Sequence, residues 1–258
     1  MQGDDVNRGL PAGVDPARVA ARVRGVARLT ARARPGPDAR LPAGQTAVRK
    51  WPRLDLGVLP EVDPAAFVLV VDGACRNPLR LGPTELAAFP QVRGRQDFHC
   101  VTGWSRLDLD LAGVRVADVL AAADPLPDAR FVLARGADGY STNLTLADCL
   151  APDVLLVTQW EGAPLPIEHG GPLRMVTPHL WAWKGTKWIV RLQLRQREQR
   201  GFWERRGYSN SADPFRGERF EGGVPPETYA VEVPEDAEPY SLSVERREPP
   251  GDDDEEDR

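Results

Sequence analysis

The chain has 258 residues, enough for one sizeable domain with its own core. Hydrophobic residues make up 41% and charged residues 28%, and no run of about eighteen apolar residues occurs, which excludes a membrane-spanning helix. A net charge of −5 argues against a nucleic-acid binder, and three scattered cysteines (Cys75, Cys100 and Cys149) exclude a disulfide scaffold and a zinc site, so a reducing, cytoplasmic setting is expected.

The charge is uneven along the chain. Residues 1–50 carry a net +6 and residues 232–258 a net −9, ending in an acidic run from Asp252 to Asp257. Both ends are poor in aromatic residues, so 1–43 is expected to be a basic Arg- and Ala-rich tail, loosely helical or disordered, and 232–258 an acidic disordered tail. Within Ala17–Arg34, Val19, Val23, Val26 and Leu29 stand near helical spacing with arginines between them. An interfacial helix on an anionic surface fits that pattern, and so does a loose arm.

The region 44–231 is expected to be one α+β domain, rich in loops, with mixed sheets and short helices. Phe67–Gly73 reads as a strand ending in an Asp-Gly turn, and Pro83–Phe89 as a short helix capped by Thr84. Arg106–Gly113 alternates as a strand with one wet face, and Val114–Ala123 has helical spacing. Arg130–Gly136, Asp153–Trp160, Arg174–Thr177 and Lys187–Leu194 complete the predicted strands. Twenty-five prolines and twenty-four glycines leave no regular βαβ rhythm.

Chemistry concentrates in two places. The stretch His169-Gly170-Gly171-Pro172-Leu173-Arg174 is followed thirteen residues later by Lys187 in Trp183-Lys184-Gly185-Thr186-Lys187-Trp188, which holds two of the chain's three lysines. Glycines beside cations let a backbone approach an anion closely, so an anion site and plain structural turns both fit. Cys100 lies among His99, Thr102, Trp104 and Ser105 in an expected loop. A buried apolar thiol, a nucleophile with His99 or His169 as base, and a thiolate ligand to a redox metal all remain open.

Taken in order, the blocks FVLVVDG…NPLRLGPTEL (67–86), FHCVTGWS (98–105), DGYSTNLTLADCL (138–150), EGAPLPIEHGGPLRMVTP (161–178), WKGTKW (183–188) and GFWERRGY (201–208) resemble the sulfite oxidase-like, molybdopterin-dependent oxidoreductases. The resemblance runs from about residue 44 to 220 and implies that family's fold. It implies one molybdenum per chain, bound through the thiolate of Cys100 and one pterin. His169, Arg174 and Lys187 match the cofactor's anion-binding set, and Gly185 and Thr186 match backbone contacts. Arg49 matches an arginine beside the metal, with Lys50 and Trp51 following along the pterin, and Tyr208 matches an active-site tyrosine.

The reaction this resemblance implies is oxygen-atom transfer to or from a small sulfur or nitrogen compound, with a second protein giving or taking the electrons. The alternatives are a cofactor-free binding protein on the same scaffold and a thiol-dependent hydrolase using Cys100. Where sulfite oxidases place paired basic residues after the cysteine, this chain has Gly103-Trp104-Ser105, with Arg106 beyond. A neutral S-oxide or N-oxide is therefore expected in preference to sulfite.

Overall fold

The computed structural model describes residues 10–32 and 39–223. The acidic stretch 232–258 lies outside the described residues. Two sheets carry the domain. The first joins β1 (Thr46–Ala47), β4 (Gln91–Cys100), β5 (Trp104–Arg115), β8 (Leu155–Trp160), β9 (Ala163–Pro164) and β10 (Arg174–Val176), with β5 and β8 at its centre. The second runs β3 (Leu79–Leu81), β2 (Leu69–Gly73), β11 (Ile189–Arg195), β6 (Phe131–Gly136) and β7 (Ser141–Thr145). β11 lies parallel to β2 and antiparallel to β6.

Short helices cover the sheets: α2 (Pro83–Ala87), α3 (Val116–Ala123) and α4 (Leu146–Cys149). In α3, Val116, Val119, Leu120 and Ala123 face the core and are fully buried. They meet Leu69 and Val71 of β2, Leu156 of β8, Met175 of β10 and Leu192 of β11 in one apolar cluster between the sheets. The N-cap of α2 is Gly82, whose amide donates to Glu85 Oε2 at 2.9 Å, so Thr84 is not its cap.

Two expectations are corrected. The polar run Gln91–Cys100 is a ten-residue strand, because its antiparallel partner β5 satisfies its backbone from Gln91↔Val114 to Cys100↔Trp104. Cys100 therefore ends a strand and opens a tight turn, which Gly103 closes at φ +96°.

The second correction concerns the N-terminal basic segment. Residues 16–32 form α1 (Pro16–Arg32), opened by Asp15, whose carboxylate accepts from Ala17 N at 2.8 Å. Val19, Val23, Val26 and Ala27 are buried with Trp181, Trp183, Phe202, Trp203, Tyr208 and Phe220. The apolar partner that the segment's own composition lacks is an aromatic surface contributed from residues 181–220. Among the described residues, no helix is long and apolar enough to cross a membrane.

Candidate active site

A cavity opens where the α1 aromatic cluster meets a second cluster built on β4, β5 and β8. Its wall brings together Cys100, Thr102, Trp104, Arg174, Gly185, Lys187 and Tyr208, together with Trp51 and Tyr140. Residues distant in sequence converge because the β4–β5 turn, the start of β10 and the loops around residues 183 and 208 all end on this side.

Cys100 is buried, and its Sγ lies 3.1 Å from Thr102 Oγ1. Burial pushes the thiol up, and the Thr102 bonds together with the positive charges of Arg22 and Arg174 oppose that shift. His99 points to the other side of the strand, as neighbours in a strand must, and bonds Ser105 Oγ through Nδ1 at 2.8 Å. His169 stacks on the Trp51 ring at 4.8 Å and packs edge-on to Trp160. Neither histidine is placed as a base for the thiol, which removes the support for a Cys-His hydrolase. Cys75, Cys100 and Cys149 are all free thiols.

Arg174 is the most telling group. Its guanidinium is buried, with Cζ 5.0 Å from the Trp51 ring and 4.9 Å from the Phe98 ring. One nitrogen donates to His169 O at 2.8 Å, while the buried Nε has no partner. Burial lowers its pKa to about 10. A buried cation with an unused donor is costly unless an anion completes it.

Lys187 stands nearby, half-buried, with Nζ donating to Glu168 O at 3.2 Å and lying 4.4 Å from the Trp188 ring. Burial, reinforced by Arg174, lowers its pKa to about 7. Desolvation, with Arg174 adding to it, brings His169 down to about 4, so this residue is neutral at pH 7 and can serve as a hydrogen-bond donor rather than a cation. The cations of the set are therefore Arg174 and Lys187.

Gly185 and Thr186 support the same wall. A Cβ on Gly185 would come within 2.6 Å of Met175 O, so only glycine fits where the chain turns against β10. The Thr186 carbonyl accepts from Met175 N at 2.9 Å, and its buried Oγ1 has no partner. Lys184 is structural: its Nζ, fully buried, pairs with Glu204 Oε1 at 2.8 Å and donates to Asn143 O at 2.7 Å.

Tyr208 is buried among Trp183, Trp203 and Phe220, and its ring faces the cavity. Tyr140 also lies on the wall, donating its hydroxyl to Trp183 O; burial holds its pKa well above the usual value.

His169 and Thr186 are not on the cavity wall, and neither are Arg49 and Lys50. Arg49 and Lys50 are exposed, because Trp51 is the residue of that extended stretch that turns inward. Arg106 is not among the residues of the cavity wall, and its guanidinium lies 3.9 Å from Glu161. Sequence reasoning missed Arg22, Asp55, Asp138 and Tyr140, all on the wall. The available signal for Arg22 was its place inside the stripe Val19, Val23 and Val26.

Comparisons with known proteins identify the family. Residues 56–203 match the family described as oxidoreductase molybdopterin binding domain. The chain is 40% identical over 182 residues to an uncharacterized oxidoreductase, YuiH, of Bacillus subtilis, covering 70% of this chain and 92% of that one. It is 31% identical over 160 residues to the catalytic subunit MsrP of a protein-methionine-sulfoxide reductase from Gluconobacter oxydans, covering 55% of this chain and about half (51%) of that one. The fold resembles the sulfane dehydrogenase SoxCD of Paracoccus pantotrophus at a TM-score of 0.51, 22% identity, 55% coverage of this chain and 41% of that one. With 57% of its length inside the family's domain and a relative matched almost end to end, the chain belongs to the sulfite oxidase-like oxidoreductases that bind molybdopterin.

Proposed function

We propose that this chain catalyses oxygen-atom transfer at the cavity, with Cys100 as the protein ligand to molybdenum and Arg174, Lys187, His169, Gly185 and Thr186 holding the pterin and its anionic tail. The observation that carries this reading is the buried Arg174, whose Nε lacks a partner and which faces the same cavity as the Cys100 thiol. The residues fit the group: a thiol for a soft metal, two cations and a neutral imidazole for an anion, and a glycine where the backbone comes close.

When bound, the cofactor supplies an oxygen acceptor and a two-electron store that side chains lack. The chain's own residues do the rest. Arg22 and Arg174 favour the thiolate form of Cys100. Trp51, Trp104, Trp183 and Trp203 wall the cavity with apolar rings and limit the water that reaches it. The Tyr208 hydroxyl is the donor we assign to the transferring oxygen.

A small sulfoxide or N-oxide is the substrate this wall suits, and the name of the Gluconobacter relative favours S-oxide reduction. That reaction consumes two electrons and two protons and yields the sulfide and water, so a redox partner protein must deliver the electrons. A cytoplasmic setting agrees with three free thiols.

The test is metal and pterin analysis of protein made in a host that produces the cofactor. About one molybdenum per chain is expected in the wild type. Cys100→Ser should abolish turnover and shift the thiolate-to-metal absorption. Full activity and an unchanged spectrum in that variant would refute the ligand assignment.

A further inference from the structure

The geometry points to Arg22 of α1 as the substrate-binding cation of this site, holding the anionic or strongly polarised oxygen of a small oxo compound on the Cys100 side of the cavity. The inference rests on the oxygen-transfer reading and extends it to a residue that lies outside the matched domain, which begins at residue 56.

Four arginines of α1 have described side chains, and Arg18, Arg24 and Arg28 are exposed. Arg22 is half-buried. It falls three residues after Val19 and four before Val26, on the face that packs against the aromatic cluster. An arginine inside a packed apolar stripe must either find an acid or reach a cavity. Arg22 reaches the cavity, whose wall it shares with Cys100, Thr102, Trp104, Trp203 and Tyr208.

Among the described residues Arg22 has no hydrogen-bond or ion-pair partner. The two carboxylates of the wall are engaged elsewhere. Asp55 accepts from Arg53 Nε at 2.7 Å and from Gly57 N at 2.8 Å, and Asp138 accepts from Tyr140 N at 3.1 Å. With Arg174 and Lys187 committed to the cofactor's anionic end, Arg22 is left for the substrate. It stands on the cavity wall, where Arg49 and Arg106 do not.

The experiment uses the full-length, cofactor-loaded enzyme and its Arg22→Gln and Arg22→Lys variants. Sulfate is titrated as an inert oxyanion against the fluorescence of the cavity tryptophans, and KM and kcat are measured with dimethyl sulfoxide. Loss of one charge-assisted hydrogen bond should raise the sulfate dissociation constant and KM about ten- to hundredfold in Arg22→Gln, with Arg22→Lys recovering much of the difference. Molybdenum and pterin content should match the wild type. The melting temperature should hold or rise, since an unpaired half-buried charge is removed.

Unchanged sulfate binding and KM in Arg22→Gln would overturn the proposal, and so would a fall in melting temperature that explained any loss. Wild-type protein that takes up neither molybdenum nor pterin would instead overturn the oxygen-transfer reading. Metal analysis separates the two failures.

Discussion

Lys187 shows how a single half-buried cation ties stability to pH and, in our assignment, to the bound anion. Its ammonium is held where burial and Arg174 disfavour the charge, so its pKa falls from 10.5 to about 7. Between those values the unfolded chain binds the proton and the folded chain does not, so stability rises with pH across that window. Below about pH 7 the cost of the buried charge is fully imposed, and it is relieved as the pH climbs towards 10.5. An anion bound beside the ammonium would raise the folded-state pKa and flatten this slope. The melting temperature of cofactor-free protein should therefore climb from pH 7 to pH 9.5 in the wild type, less steeply with cofactor loaded, and hardly at all in Lys187→Met. Equal slopes in wild type and Lys187→Met would show that other groups govern the alkaline window. Arg174→Ala acts on the same anion without a titration of its own there, and should lower pterin occupancy by the loss of about 1.5–3 kcal/mol of charge-assisted bonding.

At the scale of elements, α1 separates what the sequence could reveal from what it could not. Strands β2, β5, β6, β8 and β11 and helix α3 were legible because their apolar period is complete within each segment. The spacing of His169, Arg174, Gly185 and Lys187 pointed to the segment that supplies Arg174, Gly185 and Lys187 to the cavity wall. Strand β4 was not, because QVRGRQDFHC carries no apolar period and depends on β5 for its hydrogen bonds. The packing of α1 was hidden for a similar reason: its stripe is narrow, arginines surround it, and its partners Trp181, Phe202 and Phe220 lie some 160 to 200 residues away. Arg22 was hidden with it, in a chain where arginines outnumber lysines thirty to three. Val23 is 0% exposed. Val23→Ala removes two buried carbons and leaves a small void, a loss of roughly 1.5–2.5 kcal/mol. For a domain of this size that corresponds to a fall of about 3–8 °C in melting temperature. Removing residues 1–32 should cost more and should also open the cavity to solvent. A melting temperature unchanged by both alterations would mean that α1 does not pack on the domain in solution.

The whole molecule assembles its site from Arg22, Trp51, Cys100, Tyr140, Arg174, Lys187 and Tyr208, so the cavity's charge belongs to the fold and to no single segment. Three cations and two carboxylates line it: Arg22, Arg174 and Lys187 against Asp55 and Asp138. Arg174 and Lys187 face the cofactor's anion in our assignment, which leaves one cation, Arg22, and a wall of tryptophans for the substrate. One arginine suffices for the oxygen of a sulfoxide or N-oxide. A sulfite dianion taken out of water needs more than one positive partner, and neither Arg49 nor Arg106 is on the cavity wall. Turnover with dimethyl sulfoxide or trimethylamine N-oxide, driven by an artificial reduced electron carrier, should therefore exceed sulfite oxidation with an artificial acceptor when compared as kcat/KM. Tyr208→Phe should lower kcat by roughly ten- to a thousandfold if its hydroxyl stabilises the transferring oxygen, with molybdenum content unchanged. Raising the salt concentration should weaken any residual sulfite activity more than sulfoxide reduction, because only the former depends on attraction of a dianion. Sulfite as the best substrate, with a micromolar KM, would show that the cavity gathers more positive charge around its ligand than Arg22 supplies, and would make the protein a sulfite oxidase.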